Sequence, residues 1–151
     1  MDTFYKILIF IHIFSAILGM GPGFVFIFIK RLAKTMTELR HSYRITHLLH
    51  RFVMLGGTLL LVTGLLMGSL NTSLFQQGWY VTSLILFLVA LAMGPFILSP
   101  NTNRIKKLVT ETTGDKIPEE YYVLAKKSIR LESLLNVIFL IIIALMITKP
   151  F

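Results

Sequence analysis

The chain contains 151 residues, of which 55% are hydrophobic, and it carries a formal net charge of +8. Soluble globular domains contain roughly 45–50% apolar residues, so this composition predicts a multi-pass membrane protein. The absence of cysteine excludes disulfides, thiolate metal ligation, iron–sulfur clusters and covalent c-type haem attachment. The basic charge lies in two segments rather than in a soluble domain, which excludes nucleic acid as a partner and predicts contact with membrane lipids.

The first apolar run is 7–29, and it contains no charged residue between Lys6 and Lys30. A bilayer core about 30 Å thick requires roughly 20 helical residues, so this run predicts the first membrane span. It is longer than the h-region of about 7–15 residues in a signal peptide and lacks a small-residue cleavage site followed by polar sequence. We therefore expect it to remain in the mature protein.

One face of this first span combines a histidine with small side chains. The residues that recur on it at steps of three and four are His12, Ser15, Ala16, Gly19, Gly23 and Phe26. An ionisable side chain within a span is costly and faces the bundle interior, which makes His12 a candidate ligand. The alternative is a neutral imidazole hydrogen-bonded to a hydroxyl group of the bundle, with Ser15, Thr63, Thr82 and Ser83 as candidate partners.

The second helix is predicted to begin well before its apolar part. Thr35 and Glu38 have the spacing of a capping box, and neither proline nor glycine interrupts the chain before the apolar run 52–70. Its inner face repeats at steps of four and three through His50, Met54, Gly57, Leu61, Gly64 and Gly68. These glycines favour tight packing against the first helix or a second protomer in a homodimer, or they make room for a flat macrocycle.

Two further spans follow. Trp79 and Tyr80 are typical of an interfacial aromatic belt and open the third span, 79–98, which Ser99-Pro100-Asn101 is predicted to end. Pro118 before Glu119 predicts the start of the last helix.

The apolar part of this last helix is 133–148. The prediction is therefore a single all-α domain, 1–151, with four transmembrane helices in a bundle and polar loops at 30–51 and 99–132.

The basic residues predict the orientation. Six Lys and Arg residues fall in 30–51 and seven in 104–130, against Lys6 and Lys149 at the other side. The positive-inside rule places both loops in the cytoplasm and both termini outside the cytoplasmic (inner) membrane.

The two halves of the chain also share a pattern. Met20-Gly21-Pro22 and Met93-Gly94-Pro95 fall near the same ends of helices one and three, which suggests two parallel helical-hairpin repeats. Each proline removes a backbone donor and is expected to kink its helix.

A basic stripe precedes the second span. Arg40, Arg44, His47 and Arg51 recur at steps of four, three and four, and we expect the arginines to meet anionic headgroups. His50 instead shares the glycine face. His12 and His50 lie near opposite membrane boundaries, on the order of 20 Å apart, so they cannot bind the same iron.

Three short motifs carry a resemblance to a known group. They are His12-x-x-Ser15-Ala16-x-x-Gly19, Thr63-Gly64 and Gly78-Trp79. Over nearly its whole length the chain resembles the bacterial integral membrane family called domain of unknown function 2269. More distantly it is similar to the haem-binding membrane protoporphyrinogen oxidases and to CopD-type copper-resistance proteins.

The oxidase resemblance implies a haem ligand but not the oxidase activity. That family pairs a helix-one histidine, which matches His12, with a lysine four residues after the helix-three tryptophan. Ser83 stands at that position here. The resemblance therefore does not carry over the oxidase activity, and we favour a protein that is not an enzyme.

These observations favour a small membrane protein that binds a cofactor, b-type haem, with His12 as the iron ligand and Met67 as a weak second ligand. The residues predicted to line the site are His12, Gly19, His50, Gly57, Gly64, Met67 and Ser83. The first alternative is a structural or accessory subunit without a cofactor. The second, a copper-handling or transport protein, is the weakest, because the spans lack carboxylates and the methionines are not clustered.

Overall fold

The computed structural model describes residues 3–151, and every regular element in them is helical. In chain order these are α1 (Thr3–Leu32), α2 (Met36–Leu70), a 3₁₀-helix (Thr72–Gln76), α3 (Gly78–Met93), a π-helix (Gly94–Leu98), α4 (Ser99–Glu111) and α5 (Glu119–Thr148). Four helical segments are long and apolar enough to cross a membrane, with Gly78–Glu111 counted as one. The predicted all-α fold with four long apolar helices is confirmed.

The bundle has two distinct ends. Residues 3–6, the 70–78 connection and 149–151 lie together, and we call this the terminal end; there the Trp79 N–H donates to the Phe151 carbonyl at 3.0 Å. The segments 31–45 and 99–130 lie at the opposite end, which we call the loop end.

Helices α1 and α2 are antiparallel and touch through their backbones. A Cβ built on Gly56 would lie 2.3 Å from the Gly19 nitrogen, and one built on Gly19 would lie 2.8 Å from the Gly57 nitrogen. Only residues without side chains permit this approach. The predicted tight packing of helix two against helix one is confirmed, but Gly56 makes the closest contact, rather than Gly64 and Gly68.

The register of this hairpin sets the depth of each residue. His12 lies opposite Thr63, and Gly19 lies opposite Gly56. The same offset places the Lys30 ammonium 5.6 Å from the centre of the Tyr43 ring. The apolar run of α1 is therefore level with about 46–68 of α2, which overlaps most of the predicted second span, 52–70.

The predicted start of helix two is confirmed. Thr35 is the N-cap, and its hydroxyl oxygen accepts from the Glu38 N–H at 3.2 Å. The Glu38 carboxylate accepts in turn from the Lys34 N–H at 2.7 Å. From Met36 the helix runs without interruption to Leu70, as one rod.

Ser99-Pro100-Asn101, which is predicted to end the third span, does not interrupt the helical structure. A π-helical turn, Gly94–Leu98, joins α3 to α4, and the Ser99 N–H donates to the Gly94 carbonyl. Two prolines, Pro95 and Pro100, lack the N–H that an α-helix would use, and a wider turn accommodates both the missing donors and the bulky rings. The chain therefore widens locally and continues as a helix.

The 99–132 segment, predicted as a loop, is mostly helical and packs into a core of its own at the loop end. This core contains Met36 and Leu39 from α2 together with Ile105, Val109, Ile117, Tyr121 and Ala125. Asn101 Nδ2 donates to the Ser128 hydroxyl at 2.6 Å, which ties α4 to α5. Pro118 caps α5, so the predicted start of the last helix is confirmed.

A hydrogen-bonded carboxylate secures the start of α2. The N–H and the hydroxyl of Thr37 both donate to Asp115 Oδ1, at 3.0 and 2.9 Å. These two donors hold the pKa of the Asp115 carboxyl below its usual range, because they stabilise its charged form. The 112–118 connection is thereby fixed against α2.

Between the two ends the helices pack through a smaller apolar core. It is formed by Met20, Leu60, Phe87 and Ile142, one residue from each long helix. Large apolar side chains such as Phe10, Ile17 and Phe28 point outward, where a bilayer would cover them.

Candidate functional site

His12 is held by a side-chain hydrogen bond across the α1–α2 contact. Its Nδ1 lies 2.8 Å from the hydroxyl oxygen of Thr63, which confirms one of the four partners predicted for a bonded imidazole. The Thr63 oxygen also lies 2.6 Å from the Leu59 carbonyl. A hydroxyl has one hydrogen, and we assign it to that carbonyl, so that His12 Nδ1–H is the donor to Thr63.

This assignment determines the chemistry of the other ring nitrogen. A neutral imidazole protonated on Nδ1 carries its free lone pair on Nε2. Within residues 3–151 the structure gives Nε2 no hydrogen-bond partner. Nε2 is therefore available as an acceptor or as a metal ligand.

Gly64 provides the space for the His12 ring. A Cβ on Gly64 would lie 3.3 Å from the ring carbon Cε1, which is closer than nearly all such contacts in proteins. The Gly64 carbonyl accepts from the Tyr80 hydroxyl at 2.8 Å. Helix α3 thus supports the backbone behind the imidazole, and Gly64 and His12, both among the predicted site residues, lie in contact.

A cleft of about 660 Å³ opens beside this imidazole at the terminal end. Apolar groups from α1, α2, α3 and α5 form most of its wall. Its lining residues are Phe4, Tyr5, Ile9, His12, Ile13, Gly64, Met67, Leu70, Asn71, Leu74, Trp79, Tyr80, Met146 and Lys149. His12 and Met67, the two predicted ligands, therefore line one space.

Polar groups gather at the rim of the cleft. Lys149 takes a left-handed backbone conformation with φ 45° after the last turn of α5, and its ammonium lies 5.3 Å from the centre of the Trp79 ring. The backbone N–H of Trp79 donates to the Phe151 carbonyl. A positive charge is thereby positioned beside an aromatic wall.

Four of the predicted site residues lie elsewhere. The backbone of α2 fills the space beside Gly19, and Gly57 is buried in the same helix contact, so that neither lines the cleft. Ser83 is 1% exposed and does not line the cleft, and its hydroxyl has no hydrogen-bond partner in the described part of the chain. His50 is exposed near the loop end, about 20 Å from Thr63 along α2.

A buried ion pair was missed by the sequence reasoning. The Lys30 ammonium of α1 donates to Glu132 of α5, and their side chains are only 10% and 8% exposed. One turn deeper, Asn136 Nδ2 lies 3.3 Å from the Gly23 carbonyl. The sequence offered one signal for this pair. Glu132 is the one carboxylate directly beside an apolar run, but it was assigned to the predicted loop 99–132.

The four long apolar helices agree with the family to which the sequence is matched. Residues 6–150 match the family described as "Predicted integral membrane protein (DUF2269)". The chain belongs to this family. Its membership establishes a multi-pass integral membrane protein and confirms the resemblance noted from the sequence.

No curated protein and no solved structure matches the chain. In this DUF2269 protein, the His12 cleft brings together a titratable group, a free lone pair and a concave space.

Proposed function

We propose that the cleft at the terminal end binds a planar, largely apolar cofactor, b-type haem, with His12 Nε2 as the iron ligand. One observation carries this proposal: the bond from Nδ1 to Thr63 leaves the Nε2 lone pair free beside an apolar cleft. A metal-bound histidine usually donates its other ring N–H to a neighbouring acceptor, which fixes the tautomer and the orientation of the ring.

The residues present fit such a group. The cleft volume falls within the roughly 300–1,000 Å³ typical of small-molecule sites, and apolar side chains dominate its wall. Met67 offers a thioether as a weak second ligand, and Lys149 offers a positive charge for a carboxylate at the rim. When bound, haem would supply one-electron redox chemistry or serve as cargo. Thr63 orients the imidazole, and Gly64 leaves room for its ring.

The first prediction concerns this ligand. We expect detergent-purified protein to show a Soret band after expression with added haem, and His12→Ala to lose it. Met67→Leu is expected to keep the band but shift it, because a thioether is replaced by a side chain that cannot ligate. His50→Ala serves as the matched control, since this histidine is exposed and lies far from the cleft. A full, unshifted Soret band in His12→Ala would contradict the assignment.

A second candidate function is an accessory membrane subunit without a cofactor. The same His12–Thr63 bond favours it, because a polar bond between α1 and α2 stabilises their packing even when no cofactor is present. Under this alternative, wild-type protein has no chromophore after haem addition, while Thr63→Val weakens the bundle as much as His12→Ala does. Under the haem proposal, Thr63→Val mainly alters the spectrum, since the imidazole loses its orienting partner.

We also propose that the loop end faces the cytoplasm of a bacterial inner membrane and that both termini lie outside. Thirteen of the fifteen Lys and Arg residues fall in the two polar segments, and the hairpins formed by α1–α2 and α3–α5 are consistent with a parallel repeat. The two Met-Gly-Pro motifs differ in detail, because Pro22 lies within a continuous α-helix while Pro95 lies in the π-helix.

The second prediction tests this orientation. In this cysteine-free chain, Thr72→Cys is expected to react with an impermeant thiol reagent in intact cells, and Thr113→Cys only after the cells are opened. Thr72 and Thr113 are both exposed, so a difference in labelling reports the side of the membrane. Labelling of Thr113→Cys from outside would reverse the orientation.

A further inference from the structure

A second concave surface lies at the loop end, between α2 and α4. It is a groove of about 460 Å³, lined by Arg40, Tyr43, Arg44 and His47 from α2 and by Lys106, Val109 and Thr110 from α4. We call it the basic groove. The sequence placed Arg40 and Arg44 on one stripe, but only the tertiary fold adds Lys106 from the facing helix. Arg51, the third arginine of that stripe, is not part of the lining.

None of the basic side chains of the groove forms an ion pair with a carboxylate in the described part of the chain. Within residues 3–151 the ion pairs are Lys30–Glu132 and Lys107–Glu111, and neither involves a groove residue. Glu38, in the first turn of α2, accepts from the Lys34 N–H. Asp115 accepts from Thr37, and the nearby charge of Arg40 also helps to lower the pKa of its carboxyl. Arg44 and Lys106 therefore present positive charge that no carboxylate contacts, and Arg40 adds a charge that Asp115 offsets only in part.

Arg40 is held in place before any ligand arrives. Its Nη2 donates to the Thr112 carbonyl at 2.6 Å, and its Nε lies 3.4 Å from the Val109 carbonyl. These carbonyls end α4, where the helix leaves its last acceptors without partners. The guanidinium is thus anchored on one side and keeps donors for a second acceptor, a geometry suited to phosphate.

The register of the bundle places the basic groove in the headgroup region. Lys30, the end of the α1 apolar run, is level with about residue 45 of α2, so Arg44 lies at the edge of the apolar layer and Arg40 about 6–8 Å beyond it. On the other wall, Asn101 contacts Ser128, and Lys106 follows it by just over one turn. Free anions and lipid phosphates both reach this depth.

The surface next to the basic groove favours a lipid over a soluble anion. Ile45, Leu48 and Phe52 follow each other along the adjoining face of α2, and they are 40%, 51% and 51% exposed. Nothing else in residues 3–151 covers this apolar surface. If a lipid phosphate occupied the groove, the acyl chains of that lipid would lie on it. From this arrangement we propose that the basic groove is a specific binding site for the phosphate of an anionic phospholipid.

The test measures lipid binding to the full-length protein in detergent by native mass spectrometry. Phosphatidylglycerol and phosphatidylcholine with identical acyl chains are titrated separately, and inorganic phosphate is added as a competitor. We expect phosphatidylglycerol to bind more tightly, and Arg44→Gln with Lys106→Gln to weaken it about 30-fold, since each basic residue near an anionic headgroup contributes a factor of about five. If the double variant does not fold, each single variant is expected to lose about fivefold.

The control removes the same charge elsewhere. Lys126→Gln with Lys127→Gln, on exposed positions of α5 outside the groove, is expected to change the affinity by less than about twofold. Equal affinity for the two lipids, or an equal loss in the control, would overturn the site. Displacement of phosphatidylglycerol by inorganic phosphate at matching concentration would assign the groove to a soluble phosphate compound and overturn the lipid as its occupant.

Discussion

Gly56→Ala is expected to destabilise the bundle strongly, although it adds a single methyl group. The new Cβ would lie 2.3 Å from the Gly19 nitrogen, 2.7 Å from the Gly19 Cα and 2.8 Å from the Leu18 carbonyl carbon. All three are backbone atoms, so no side chain can rotate away and α1 must move. Overpacking of this kind costs about 1–3 kcal/mol, occasionally more, and we expect the upper end in a thermal unfolding or SDS titration of detergent-purified protein.

The neighbouring glycine provides the matched control. A Cβ on Gly57 would meet no atom within 4 Å, although Gly57 is buried in the same helix contact. Gly57→Ala is therefore expected to be neutral or slightly stabilising, because alanine favours a helix by up to about 1 kcal/mol relative to glycine. Equal destabilisation by the two variants would mean that α1 and α2 do not cross at Gly19 and Gly56.

Glu132→Gln is expected to have a comparable or larger effect. It leaves the Lys30 ammonium buried, 10% exposed, without its carboxylate. Removing one partner of a buried ion pair costs about 3–5 kcal/mol, because the remaining charge is desolvated without compensation. The two rings near this ammonium, Phe26 at 5.9 Å and Tyr43 at 5.6 Å, offset only part of that cost. The measurement is the shift of the unfolding midpoint in mixed micelles.

A double variant and an exposed pair complete this experiment. Lys30→Met with Glu132→Leu removes both charges and is expected to recover most of the stability lost in Glu132→Gln. Lys107→Met breaks the Lys107–Glu111 pair, whose side chains are 75% and 66% exposed, and should have no measurable effect. If Glu132→Gln behaves like Lys107→Met, the Lys30–Glu132 pair is not buried in the membrane protein.

The buried pair also has a structural consequence. It joins the end of α1 to α5 at the edge of the apolar layer, 102 positions apart in the chain. The second carboxylate oxygen of Glu132 is buried and has no hydrogen-bond partner in residues 3–151. A charge pair of this kind specifies one relative position of two helices more strictly than apolar contacts do, because any displacement separates the charges.

Much of the fold followed from local patterns. The apolar run 7–29, the capping pair Thr35 and Glu38, and Pro118 before Glu119 predicted the long helices and two of their starts. These signals depend on residues within a few turns of each other, so they can be recognised without knowledge of the neighbours. The same dependence on local sequence explains why a helix end was expected at Ser99-Pro100-Asn101. These residues have the composition of a helix end, yet the packing of α4 against α5 keeps the chain helical.

His12 shows how much of the candidate site could be predicted from local sequence. A histidine within an apolar run must find a partner in the bundle, which made it a candidate from the sequence, and Thr63 was one of four hydroxyls open to it. The choice among them depends on how α1 and α2 are rotated and shifted against each other. Met67 lines the cleft with His12, whereas Gly19 of α1 packs against the backbone of α2 and Ser83 of α3 is buried away from the cleft.

By itself, the sequence determined that the chain is helical, apolar enough to cross a membrane four times, basic at one end and marked by one histidine within a span. Only the tertiary structure decided which glycines touch, that Lys30 meets Glu132, and that Lys106 joins Arg40 and Arg44 in one groove. The physical reason is the range of the forces involved. Helix formation and membrane insertion depend on local composition, whereas close packing and ion pairing depend on the rotation and offset of helices far apart in the chain.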